Sequence, residues 1–66
     1  MLIHRQPFWE KSGEKHIITI TFEGRRMYEV RVDEEFYATA EHRLQAFDEV
    51  ADIARANNWN PLSHGF

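Results

Sequence analysis

A chain of 66 residues, 42% hydrophobic and free of cysteine, reads as one small domain that has neither disulfides nor thiolate zinc ligands to support it. Its net charge of -3 with neutral histidines argues against an indiscriminate polyanion binder, and its apolar runs are too short to cross a bilayer. A core this small is expected to gain stability from self-association.

The N-terminal segment MLIHRQPFWEK has no apolar stretch of signal-peptide length, so the expected location is cytoplasmic, with no membrane partner. Residues 1–14 show no clear period and are punctuated by Pro7, Ser12 and Gly13. They read as a flexible arm carrying Phe8 and Trp9, with at most a short strand at Leu2 to His4.

Residues 15–38 read as a β-meander. HIITITF alternates, with Ile18, Ile20 and Phe22 on one face and Ile17, Thr19 and Thr21 on the other. MYEVRV alternates again, with Tyr28, Val30 and Val32 against Met27, Glu29 and Arg31. A three-residue loop that pairs Phe22 with Arg26 puts Ile20 opposite Tyr28 and Ile18 opposite Val30, keeping the apolar sets together. A two-residue loop mixes the faces and is rejected. Asp33, Glu34 and Glu35 form a polar turn before a third short strand at FYA.

Residues 39–58 read as a helix, N-capped by Thr39 and running from about Ala40 to Asn57. Ala40, Leu44, Phe47, Val50, Ala51 and Ala54 are expected to face the sheet, and Glu41, Gln45, Asp48, Glu49 and Asp52 the solvent. Asn57 and Asn58 suit a left-handed C-cap, and Pro61 prevents continuation. In the tail, 59–66, Trp59 falls near the position that commonly folds back onto the last helical turn and is expected to clamp Val50, Ala54 or the sheet edge. The rhythm MYEVRV followed by YATAEHRLQAFDEVADIA, together with its strand-strand-strand-helix order, resembles small antitoxin-type and phage-encoded domains. That resemblance implies a phage- or plasmid-type accessory protein and transfers no residue roles.

The expected fold is therefore α+β, a three-stranded antiparallel β-meander with one C-terminal helix on one face. Catalysis finds no support. Ser12 and Ser63 lie in irregular segments, the helix carboxylates have surface spacing, and Gly13, Gly24 and Gly65 form no phosphate loop. His4, His16, His42 and His64 include no i, i+4 pair and read as surface histidines, so neither a metal site nor any cofactor is expected. The acidic helix face reads as a solvated surface.

One helix covers one face of the sheet, which leaves the second open. The expected function is a non-enzymatic protein-interaction or self-assembly module, as a homodimer or with a protein partner and without a small-molecule substrate. The expected contact residues are Trp9, Ile17, Met27, Arg31 and Tyr37. The alternative is nucleic-acid binding through Arg25, Arg26 and Arg31.

Overall fold

The computed structural model describes residues 1–61. Its elements are β1 (Leu2–Trp9), β2 (Lys15–Gly24), β3 (Met27–Val32), β4 (Glu35–Ala40), α1 (Arg43–Asn57) and the two-residue β5 (Asn60–Pro61). The strands form one antiparallel sheet in the order β4-β3-β2-β1-β5, with the helix on one face. The α+β reading holds, but the sheet has five strands rather than three, and the N-terminal arm is a strand paired with β2 from Leu2 to Trp9.

The period of β1 is obscured by a bulge between Leu2 and His4, and by polar His4 and Gln6 on the helix side. Pro7 is tolerated because it lies opposite Ile17 on one side only, and β5 covers just Phe8 and Trp9 on the other.

The β2–β3 hairpin uses the two-residue loop that the sequence reading rejects. Gly24 pairs with Met27 across Arg25 and Arg26, whose φ values of 52° and 60° make a type I′ turn. A bulge between Phe22 and Gly24, with Gly24 at φ 86°, restores the facing. The register is thus Phe22 with Tyr28, Ile20 with Val30 and Ile18 with Val32, and the apolar sets still share a face. Asp33 and Glu34, at φ 52° and 70°, make the same kind of turn between β3 and β4. A third bulge leaves Tyr37 as the extra residue of β4, between Phe36 opposite Arg31 and Ala38 opposite Val30.

Thr39 and Ala40 belong to β4, so the helix begins later than the sequence reading has it, with His42 as its N-cap and no side-chain capping bond. Its buried residues are Ala46, Val50, Ile53 and Ala54, while Leu44 is 78% exposed and Ala51 is exposed. At 100° per residue this buried stripe lies about 80° round the helix from the expected one. Alanines at 46 and 54 let the backbone approach the sheet, where Ile53 and Val50 join Phe8, Ile18, Ile20 and Val30 in the core. Phe47 is half-buried at the margin and touches the His4 ring at 4.7 Å. No helix among the described residues is long and apolar enough to cross a membrane.

Candidate functional site

Strand alternation divides the sheet into two surfaces. His16, Ile18, Ile20 and Phe22 of β2 face the helix, so Ile17, Thr19 and Thr21 take the other side. The pairing places Arg5 beside Thr19 and Pro7 beside Ile17 on β1, Arg31 and Glu29 on β3, and Phe36 and Thr39 on β4.

The pairing puts four of the five expected contact residues, Trp9, Ile17, Met27 and Arg31, on this uncovered face, and the fifth, Tyr37, is the extra residue of the β4 bulge. Trp9 is at the end of β1, Ile17 is half-buried near the start of β2 beside the Asp33 turn, and Met27 is exposed beside the hairpin tip. Arg31 forms an ion pair with Glu29, and Tyr37 stands exposed on the bulge. Phe36, 61% exposed and adjacent to Tyr37, is a further aromatic that the sequence reading does not single out. A hollow of about 560 Å³ beside Trp59 and a second of about 360 Å³ are present, the second on this face between Arg5, Ile17, Thr19, Asp33 and Glu34.

The structure does not gather the alternative set. Arg25 and Arg26 occupy the hairpin turn, and Arg31 is five strand positions beyond Arg26, about 17 Å at strand rise. Its guanidinium is engaged by Glu29 and by the Glu34 carbonyl at 3.4 Å.

A second constellation lies on the helix side, at the end of β2. His16 Nδ1 meets Asp33 Oδ2 at 2.7 Å, and Nε2 lies 3.3 Å from Glu10 Oε1 and 3.9 Å from Glu14 Oε2. The Trp59 ring stacks on the imidazole at 3.9 Å with 9° between planes. Asp33 is also held by the Ile17 N–H, which donates to Oδ1 at 2.9 Å, while its own N–H donates to the Ile17 carbonyl. Trp59 is delivered by the helix end: Asn58 at φ 57° donates its N–H to Arg55 O, and the Trp59 N–H donates to Ala54 O at 2.9 Å. The ring therefore goes to β2, and the last turn receives its main-chain bond. Leu62 to Phe66 lie outside the described residues.

These contacts set the protonation of the cluster. The Asp33 hydrogen bond raises the His16 pKa above its ordinary value, against the opposing effect of partial desolvation, with Glu10 adding to the rise. For Asp33, desolvation pushes the carboxyl up, but the His16 bond and the Ile17 N–H together hold it below the ordinary carboxylate value. Glu10 and Glu14 share a hydrogen bond that lowers the first and raises the second.

Glu10, Glu14 and His16 offer three ligand atoms within 4.8 Å of one another and could accept a cation, one donor short of a closed tetrahedral zinc site. The reading of all four histidines as surface groups is corrected at His16, whose side chain is only 14% exposed, and at half-buried His4. His64 lies outside the described residues. No motif spacing reveals the His16 cluster, because Glu10, His16, Asp33 and Trp59 meet only through the sheet. The available signal is that His16 continues the buried series Ile18, Ile20 at period two.

No family model, no curated protein and no solved structure matches this chain.

Proposed function

We propose that the chain is a non-enzymatic protein-interaction module, and that its working surface is the uncovered sheet face. One observation carries this reading: exposed apolar side chains stand on a face that nothing among the described residues covers. Trp9, Met27, Phe36 and Tyr37 are exposed at its margins, with half-buried Ile17 near the Asp33 turn, whereas the opposite face is closed by α1. Exposed apolar groups of this size mark interaction sites. Thr19, Thr21, Glu29 and Arg31 make the polar middle of the face between them.

The face carries both signs, with Arg5, Lys15 and Arg31 beside Glu29, Glu23, which accepts from the Thr21 hydroxyl, and the Asp33 and Glu34 of the hollow, so the partner it suits is a folded surface of mixed apolar, hydroxylic and charged character. Nucleic-acid binding draws less support, because Arg31 is already paired and lies far from Arg25 and Arg26.

An anionic apolar dye tests the reading. Its fluorescence is expected to rise on mixing with the dilute chain and to fall at least severalfold with Tyr37→Glu plus Phe36→Ser, two exposed changes that leave the core intact. An unchanged signal in that variant, with circular dichroism confirming the fold, rejects the face as the site.

A further inference from the structure

We propose that Glu10, Glu14 and His16 form a binding site for a divalent cation of the zinc class, with Asp33 positioning the imidazole and a fourth coordination place open to solvent. The site is separate from the uncovered sheet face. The sequence expectation of no metal site weighed pairs of histidines, whereas here one imidazole combines with two carboxylates, a donor set that suits zinc.

The connection between β1 and β2 sets both carboxylates beside the ring. The Glu10 N–H donates to the Glu14 carbonyl at 3.0 Å and the Gly13 N–H to the Glu10 carbonyl at 2.8 Å, with Gly13 at φ 94°, so the turn closes and His16 follows two residues after Glu14. The three ligand atoms lie within 4.8 Å of one another, with Nε2 3.3 Å from Glu10 Oε1 and 3.9 Å from Glu14 Oε2. Zinc bonds of about 2.0–2.1 Å in a tetrahedron put neighbouring donors about 3.4 Å apart, so Glu10 already stands at the required separation. Glu14, whose side chain is 68% exposed, needs about 0.5 Å more, which a small rotation supplies.

Asp33, which comes from the turn after β3 and is not one of the three donors, fixes which ring nitrogen is available. Its carboxylate can only accept, so Nδ1, 2.7 Å from Oδ2, carries the proton, and the neutral ring presents its lone pair at Nε2, toward Glu10 and Glu14. A carboxylate on the far nitrogen of a ligating imidazole is the arrangement that holds ring and tautomer in metal sites. Asp33 is itself held by the Ile17 N–H, and Trp59 covers a face of the ring but not its nitrogen edge. Charge points the same way. Three carboxylates surround one imidazole, and among the described residues no lysine or arginine lies within ion-pairing distance of any of them. A divalent cation balances Glu10 and Glu14 and takes up the Nε2 lone pair at once. The nitrogen donor disfavours magnesium and calcium, which prefer oxygen alone. In a cysteine-free chain of 66 residues such a clip ties two turns together at one end of the sheet.

Calorimetric titration of the chelator-stripped, untagged chain with Zn²⁺ is expected to show one saturable site that millimolar Mg²⁺ does not block. Beyond saturation, Tm is expected to rise by about 6–11 °C for each tenfold increase in free Zn²⁺. Glu14→Gln, an exposed change that keeps the side-chain shape, is expected to weaken binding about tenfold or more while the metal-free melt stays where it was. Asp33→Asn turns an amide N–H toward Nδ1 and so moves the ring proton to Nε2. It is expected to weaken binding about 10–100-fold, with the His16 ring-carbon shifts in NMR reporting the exchanged tautomer. Absence of binding at millimolar Zn²⁺ overturns the proposal. So does full-strength binding in Glu14→Gln, which would mark adventitious ligation by histidines elsewhere. Unchanged affinity in Asp33→Asn overturns the part given to Asp33.

Discussion

Both tight turns hold residues in the left-handed region that lack the freedom of glycine, and replacing one residue in each should raise stability by a calculable amount. Arg26 (φ 60°) and Glu34 (φ 70°) occupy the second central position of type I′ turns, where glycine is preferred. The left-handed conformation costs an ordinary residue about 1–2 kcal/mol, and glycine loses about 0.5–1 kcal/mol in extra unfolded-state entropy, so each substitution should gain about 0.5–1 kcal/mol. The turns lie at opposite ends of β3, about 20 Å apart along six residues, so the gains should add. Arg26→Gly with Glu34→Gly is then expected to gain about 1–2 kcal/mol, or roughly 4–16 °C in Tm for a domain of this size. Urea titration and thermal melts followed by circular dichroism measure it. A double variant no more stable than the parent would show that these turns carry no strain and that the reasoning from φ is wrong.

Gly24→Ala tests the same argument with opposite sign. Its φ of 86° is strained for alanine while the space around a Cβ is open, so a loss of about 1 kcal/mol from backbone conformation alone is expected in the same melts. The helix face is tested by contrast: Ile53→Ala should cost about 2–5 kcal/mol, whereas Leu44→Ala should stay within about 0.5 kcal/mol, and comparable losses would place the buried stripe elsewhere. Stability should also depend on pH through the His16 cluster. The raised pKa of His16 gives a contribution present below the unfolded value near 6.5 and lost as pH rises through the folded value. The lowered pKa of Asp33 gives one present above about 3.9 and lost as pH falls through its folded value. Urea midpoints are therefore expected to be highest between about pH 4 and 6.5 and to decline toward pH 8, a decline that His16→Gln should abolish.

The legible parts of the fold are those where a local period reports burial. Ile18, Ile20 and Val30 alternate cleanly and are fully buried, and the pair Asn57-Asn58 with Pro61 marks the helix stop. What escapes the sequence has competing causes. The first strand hides its period behind a bulge and a proline, so it looks like an arm. Counting apolar residues favours a helix stripe through Leu44, but small alanines allow the closest approach to the sheet and decide which side is buried. The open face is readable as a set of alternating residues, Ile17, Thr19 and Thr21 with Glu29 and Arg31, although its extension onto β1 through Arg5 depends on recognising that strand. The His16 cluster is not readable, since its members run from Glu10 to Trp59 and come together only when the β1–β2 and β3–β4 turns and the helix end converge.

The two borders of the sheet end differently. On one side β5 is two residues long and its Pro61 has no N–H to offer, and on the other the ladder of β4 is broken at Tyr37. Strand addition is interrupted at the Tyr37 bulge on one border and at Pro61 on the other, but β5 covers only Phe8 and Trp9 of β1, so the outer edge of that strand is not closed by it. With α1 sealing one broad surface, that edge and the uncovered face are where a partner can approach the described residues.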